Sequence, residues 1–328
     1  MKTSFLAPPG SPGIAAAARS TLVLVTLALF LVWSHTFLAF EVLLAPRTGP
    51  APLRWYELVV ARFVPVFAVC SVWCFGLHRR AAIEVVRAHP RRLLLCGLLA
   101  VPVYNGALYF AMEHRVSGPV ASLLTTLSPL YLVVIGAVFL RESVGLRQVV
   151  GLVLGFAGVG LVASARDAAG GRAADVLVLA AAPLGWSVYT SLTKHVARSV
   201  PPLLWTYLVL TVGSLPLVVL APFVGGPAML SLDAKGWALL LYLALAATVF
   251  GFAVWTWLLR HLPASTTGFT VFLNPPLTTA GKAVLSALLP ASFAFTILPR
   301  EWVGGAVALV GVAFAVLRRR PVPPAGGA

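Results

Sequence analysis

Long, continuously apolar runs alternate with short polar corners along almost the whole chain. A helix of about 20 apolar residues crosses roughly 30 Å of hydrocarbon. The runs are apolar throughout rather than at every second position, which indicates helices and not the strands of a barrel. The predicted spans, numbered 1 to 10, are 21–45, 55–77, 92–112, 117–140, 145–165, 175–196, 203–224, 236–259, 263–289 and 300–317. The pattern therefore predicts an all-α integral membrane protein with ten transmembrane helices.

The chain also repeats its own pattern. When residues 104–142 are shifted by 146 positions, residues 250–276 match them in character, and Pro129 falls on Pro275. Internal repetition of this kind indicates one structural unit used twice. The predicted organisation is a disordered tail at 1–20, a five-helix repeat at 21–165, a second at 175–317, and a basic tail with Pro and Gly at 318–328.

Composition agrees with a lipid environment. The chain has 328 residues, of which 60% are hydrophobic and 10% charged, whereas soluble domains average roughly 45–50% and 25%. The formal net charge of +15 does not indicate nucleic acid, because the basic residues form short clusters between apolar runs. The three cysteines have no paired spacing, so they are expected to be small buried residues.

The positions of Lys and Arg predict the orientation. With the N-terminus inside, the inner segments hold 15 basic residues and the outer loops hold 7, so both termini are expected in the cytoplasm. Because five is an odd number of membrane crossings, the second repeat begins on the opposite side of the membrane and is inverted relative to the first. Inverted repeats are the architecture of secondary transporters, which bind substrate near the midplane between the halves and expose it to each side in turn.

Several short motifs follow one another in the same order in both halves. The first half has Trp33-Ser34, Leu127-Ser128-Pro129, Arg141-Glu142 and the glycines Gly151, Gly155 and Gly158. The second half repeats Trp186-Ser187, Pro275 and the glycines Gly304 and Gly311. On these residues the chain resembles the EamA-type members of the drug/metabolite transporter superfamily, over about 20–317. The resemblance implies a carrier in the cell inner membrane that exports amino acids or related small metabolites.

The second half departs from that family in one place. Family members carry a Gly-Glu pair just after each proline-bearing helix. Glu142 stands thirteen residues after Pro129, but Leu288 stands thirteen residues after Pro275, and Glu301 follows only after an apparent insertion. The segment at 286–301 is therefore unusual, and the acidic position is not transferred to Glu301.

Span 9 carries a polar residue at every fourth position: Thr266, Thr270, Asn274, Thr278, Lys282 and Ser286. Of the matching first-half positions, only Ser128 is polar. A polar stripe facing lipid would be costly, so it should face the bundle interior or a water-filled path. Lys282 is a candidate to hold a substrate carboxylate or phosphate; alternatively it extends to the membrane interface from near the outer end of its span.

Other side chains have two interpretations each. Pro129 and Pro275 either free backbone carbonyls for a substrate or simply kink their helices. Trp33, Tyr104, Trp186 and Trp255 either line a cavity or belong to the interfacial aromatic belt, and Trp33 and Trp186 are favoured because they repeat. Glu41 and His35 either couple transport to protons or lie at the interface. Arg62 is expected to be structural and to bond a helix end.

The glycines of spans 5 and 10 should allow close helix contact and would also suit a homodimer surface. The sequence contains no Gly-rich phosphate loop, zinc-ligand spacing or nucleophile elbow, so no cofactor, metal or catalytic residue is predicted. The expected partners are a small-molecule substrate and membrane lipids. The alternatives are an intramembrane lipid or head-group transferase, which would need a cluster of acids or histidines, and a non-transporting membrane scaffold.

Overall fold

The computed structural model describes residues 12–44, 53–114, 116–139, 145–168, 172–196, 199–224, 232–262, 267, 270–288 and 299–316, in which every regular element is helical. The α-helices are α1 (Pro12–Leu44), α2 (Trp55–Ser71), α3 (Arg79–Ala88), α4 (Pro90–Leu98), α5 (Tyr104–Glu113), α6 (Gly118–Thr125), α7 (Ser128–Phe139), α8 (Leu146–Ala168), α9 (Ala173–Val196), α10 (Pro202–Val224), α11 (Ala234–Leu241), α12 (Gly251–His261), α13 (Asn274–Leu288) and α14 (Pro299–Val316). Outside the described residues lie Thr266, the segment 289–298 and the predicted C-terminal tail.

Six described segments are long and apolar enough to cross a membrane. They are Ser20–Leu44, Trp55–Leu77, Pro90–Glu113, Ala173–Val196, Pro202–Val224 and Ala234–His261, and they coincide with predicted spans 1, 2, 3, 6, 7 and 8. Three of the other predicted spans contain shorter apolar stretches: Val120–Leu132, Val149–Leu161 and Trp302–Gly311. The all-helical membrane class follows from the six long segments, since each satisfies its own backbone hydrogen bonds.

One helix was not predicted. α3 (Arg79–Ala88) occupies what the sequence pattern indicated as an inner loop, and it buries Ala82 and Val85 while exposing Arg79 and Arg80. A helix this short and basic cannot form a span, so a search for apolar runs does not find it.

Some departures from α-helical geometry occur at matching places in the two halves. Three described segments are π-helical: Val72–Leu77, Leu99–Val103 and Tyr242–Phe250. The last two match when the first half is shifted by 146 positions. Span 4 is interrupted by a turn at 126–127, and span 9 by a 3-10 segment at 271–273. Shifted by 146 positions, the turn falls on residues 272–273, and in both halves the interruption ends two residues before the matching proline. Proline lacks an amide donor, which explains why both helices break there.

Matching helices of the two halves also pack on each other. α8 packs along α14, and α2 packs along α10. A Cβ added to Gly158 would lie 2.5 Å from Gly304 O, and one added to Gly311 would meet the backbone of Gly155. The predicted packing role of these glycines is thus observed as a contact within the chain. A second close approach, between Gly97 and Gly213 of α4 and α10, was not predicted.

Candidate functional site

A cavity of about 60 Å³ lies where the two halves of the chain meet. One water molecule needs roughly 10–15 Å³ of such space, so the cavity accommodates a few waters and must widen to admit a metabolite. Its aromatic wall is formed by Trp33, Phe37, Phe40, Tyr104, Trp186 and Phe252. Its polar wall is formed by Thr36, Arg62, Asn105, Thr125, Ser128 and Asn274. Both halves therefore contribute aromatic and polar groups.

The interruption of span 4 reaches this cavity through Thr125 and Ser128. Pro129 cannot bond the carbonyl of Thr125, and Ser128 Oγ donates to that carbonyl instead at 2.9 Å. Ser187 Oγ of α9 donates in turn to Ser128 O at 2.8 Å. These bonds satisfy the backbone around Pro129, so the geometry favours a kink there over a carbonyl left open for substrate.

The interruption of span 9 reaches the cavity through Val271 and Asn274. Asn274 is the first residue of α13 and is 5% exposed, yet its Oδ1 has no hydrogen-bond partner among the described residues. A buried polar atom without a partner costs free energy comparable to a lost hydrogen bond. An unpartnered amide oxygen on the wall of a cavity is therefore available to a ligand.

The repeated tryptophans meet beside the cavity. The rings of Trp33 and Trp186 are in edge contact with centroids 5.8 Å apart, and Tyr104 lies 5.2 Å from Trp186. Trp33 Nε1 donates to Ala247 O at 2.9 Å, in the π-helical segment of the second half. These three aromatic residues thus line the cavity rather than the membrane interface.

Trp255 belongs to the same aromatic cluster, with its ring 5.7 Å from that of Trp186. It is 1% exposed and stands behind the cavity wall rather than on it. Its Nε1 has no hydrogen-bond partner within the described ranges. A widening of the cavity is needed before this indole can reach a ligand.

Sequence reasoning placed Arg62 outside the site, but the structure places it in the cavity wall at 4% exposure. Arg62 Nε donates to Thr248 Oγ1 at 2.8 Å and to Leu243 O at 3.1 Å. Nη1 donates to Asn105 Oδ1 at 3.1 Å and to the hydroxyl of Tyr109. The carbonyl it bonds lies inside a π-helical segment, not at a helix end. The signal that could have found it is a lone charge inside an apolar run.

Asn105 holds the π-helical segment Leu99–Val103 in the same way. Its Nδ2 donates to Ala100 O and Val101 O, both at 3.0 Å, while its Oδ1 accepts from Arg62. The carbonyls that a π-helix leaves poorly paired are thereby satisfied. Arg62 and Asn105 together join the two irregular segments across the boundary between the halves.

Lys282 is not among the residues that line the cavity. It is 4% exposed and its Nζ lies 2.8 Å from Glu41 Oε2 and 2.9 Å from Glu41 Oε1. Glu41 also accepts from the amide of Gly118 at the start of α6. The pair therefore ties α1, α6 and α13 together, and both of its members were predicted for other roles.

The remaining described polar candidates lie apart from the cavity. Thr278 donates to Ser34 O at 3.1 Å, Thr270 donates to Thr267 O at 2.6 Å, and neither lines the cavity. His35 is exposed, with its Nδ1 2.7 Å from Leu31 O. Of the predicted stripe, only Asn274 reaches the cavity within the described residues.

The fold and the cavity together indicate the class of the protein: a helical membrane protein with a central cavity between two matching halves. The chain belongs to the EamA-like transporter family, whose model matches residues 20–164 and again 173–317. The resemblance inferred from the motifs is confirmed. Membership of a family of transporters also agrees with the prediction that the chain is not an enzyme.

Individual relatives are similar over most of the chain. A probable terminal-alkyne amino-acid exporter of Streptantibioticus cattleyicolor is 28% identical over 85% of this chain and 88% of its own length. An uncharacterized transporter of Archaeoglobus fulgidus is 26% identical over 70% of this chain and 78% of its own. A protein of known crystal structure, 21% identical, has the same fold, with a TM-score of 0.57 over 90% of this chain and 96% of that one.

Proposed function

We propose that this protein is a ten-helix secondary transporter that exports amino acids or related small metabolites across the cytoplasmic membrane by alternating access. The observation that carries the proposal is the cavity between the halves, bordered by the helix interruptions of spans 4 and 9. Interrupted helices at the midplane are where secondary transporters bind their substrates. The amino-acid class is supported by the name of the Streptantibioticus relative.

Two inverted five-helix repeats, at 21–165 and 175–317, supply the mechanism. The π-helical segments Leu99–Val103 and Tyr242–Phe250 stand at matching positions of the two repeats. Because the repeats have opposite orientations in the membrane, similar bending of the two segments would act on opposite faces. Rocking of one repeat against the other would open the cavity first to one face and then to the other. The small size of the cavity agrees with a conformation in which neither path is fully open.

With both termini in the cytoplasm, the Glu41–Lys282 ion pair stands on the outer side of the cavity. The repeat gives Glu41 a counterpart on the inner side: Glu41 follows Trp33 by eight residues, and Lys194 follows Trp186 by eight. Glu41 accepts from Gly118 N at the start of span 4, and Lys194 donates to Leu262 O just before span 9 at 3.3 Å. The two contacts are candidates for the outer and inner closures.

The test is counterflow into proteoliposomes that are loaded with one unlabelled amino acid and offered a trace of the labelled compound outside. The panel should include the common amino acids and a terminal-alkyne amino acid. Transient accumulation of label is expected for at least one compound. Trp186→Ala should reduce the accumulation at least tenfold, because it removes the wall between Trp33 and Tyr104.

Trp257→Ala is the matched control, since Trp257 is half-buried and lies outside the cavity wall. It should retain most of the wild-type signal. Equal losses in the two variants, with both proteins folded, would remove the cavity from the transport path. An absence of accumulation across the whole panel would contradict amino-acid transport itself.

A further inference from the structure

We propose that Arg62 is the receptor for a carboxylate on the transported molecule, so that the cargo is a carboxylic acid or a zwitterion. The inference rests on the proposed transport function and names the chemistry of its cargo. It assigns the recognition role to the second span instead of the polar stripe on the ninth. Three observations support it: the missing counterion, the free donors of the guanidinium, and the neighbouring unpartnered amide.

The first observation is the missing counterion. Arg62 is 4% exposed, and within the described part of the chain no carboxylate forms an ion pair with it. The rings of Phe40, Phe63 and Tyr109 lie 5.3–5.9 Å from its Cζ and compensate part of the charge. A buried charge without an opposite charge is costly, and ionisable groups inside membrane proteins usually mark a substrate path.

The second observation concerns the donors. A guanidinium has five N–H groups, one on Nε and two on each terminal nitrogen. Nε and Nη1 bond four acceptors of the protein, whereas Nη2 makes no hydrogen bond to the described residues. The bonds at Nε and Nη1 fix the plane of the guanidinium, so the two remaining donors have a defined direction. A fixed guanidinium is well suited to a planar carboxylate.

The third observation is the other side of the cavity. Asn274, with its unpartnered Oδ1, lines the same small space as Arg62. It begins α13, and Ser128 begins α7, so the amino ends of two helices of 15 and 12 residues reach the cavity. The amide oxygen of Asn274 could accept from the ammonium group of a zwitterion, and the indoles of Trp33 and Trp186 provide an apolar surface.

The first experiment keeps the wild-type protein and changes the cargo. Purified protein in detergent is heated with each amino acid, its amide, its methyl ester and the corresponding amine, and the shift in Tm is measured. The same compounds then compete in counterflow. The acid is expected to raise Tm and to compete at least tenfold better than its amide or ester. Equal effects of acid and ester would overturn the proposal, as would preferential binding of phosphate esters.

The second experiment changes the arginine. Arg62→Gln should bring acid and amide within about threefold of each other in both assays. Arg54→Gln is the matched control: it lies at the start of the same helix, its side chain is 60% exposed, and it pairs with Glu113 at 2.7 Å. The control should keep the wild-type preference. A preference for acids that survives Arg62→Gln would overturn the role of Arg62.

The outcomes separate the two claims. If the wild type transports a panel compound without distinguishing acid from amide, transport stands and carboxylate recognition fails. If acids stabilise the protein selectively but never accumulate in vesicles, recognition stands and transport fails. Because the series of wild-type ligands requires no substitution, misfolding of Arg62→Gln would leave the proposal still open to refutation.

Discussion

Arg62 and Lys282 are both 4% exposed and both stand inside apolar runs, yet their surroundings differ in one respect. Lys282 lies 2.8 Å from a carboxylate oxygen of Glu41. Arg62 is surrounded by hydroxyl, amide, carbonyl and aromatic groups, and within the described ranges it has no acidic partner. One charge is neutralised by the protein, and the other is only solvated by it.

The difference indicates what each residue can do. A paired lysine holds three helices together, and binding of an external anion would first have to break that pair. An arginine that is held rigidly but not neutralised can accept an anion without losing any existing bond. The charges in the sequence suggested the opposite assignment, with Lys282 as the substrate residue and Arg62 as a structural one.

The largest effect is expected when the pair is broken on one side. Glu41→Leu leaves Lys282 buried without a counterion, which should cost about 3–5 kcal/mol of stability. The double variant Glu41→Leu/Lys282→Met removes both charges and should regain most of that loss, and it should still distinguish carboxylic acids from amides. Thermal unfolding in detergent measures the first effect, and ligand-dependent Tm shifts measure the second.

A loss in the single variant no larger than in the double variant would show that the pair contributes little. Loss of acid selectivity in the folded double variant would return Lys282 to the binding site.

A smaller effect is expected when the missing counterion is supplied. Asn274→Asp introduces a carboxylate into the cavity that Arg62 lines and removes the unpartnered amide. A hydrogen bond to a charged partner contributes about 1.5–3 kcal/mol, so the apo protein should become more stable while the Tm shift caused by acids disappears. Asn274→Ala is the control, because it removes the amide without adding charge. A less stable Asn274→Asp protein, measured beside that control, would contradict the unpaired state of Arg62.

The smallest effect is expected from loosening Arg62. Tyr109→Phe removes the hydroxyl that accepts from Nη1 but keeps the ring beside the guanidinium. The loss should be about 1–2 kcal/mol, with acid selectivity reduced by less than tenfold. Tyr56→Phe, at an exposed tyrosine, should leave both quantities unchanged. Complete loss of acid selectivity in Tyr109→Phe would mean that the hydroxyl itself contacts the cargo.

Much of the architecture could be predicted from the pattern of residues close to one another in the sequence. Apolar runs located the six long membrane segments, and the repeated Trp33 and Trp186 lie in the cavity wall. The prolines located both helix interruptions. Each of these features depends on residues close in sequence or on repetition, which a single sequence displays directly.

The partners of the charged groups were not accessible in this way. Glu41 and Lys282 are 241 positions apart, and Arg62 is 181 positions from the carbonyl of Leu243. Whether a buried charge is paired depends on how distant helices pack, and spacing within one helix does not contain that information. α3 was missed for a different reason, since its amphipathic sequence is shorter than any span.

The unlike contacts of Glu41 and Lys194 have a kinetic consequence. The proposed outer closure combines the Glu41–Lys282 ion pair with a bond to Gly118 N, while the matching inner contact includes a hydrogen bond from Lys194 to the carbonyl of Leu262. Unequal closures give unequal populations of the two open states, although the halves share one backbone plan. Apparent affinity is the intrinsic affinity reduced by the fraction of molecules in the competent state. The half-saturation concentrations measured from the two faces should therefore differ.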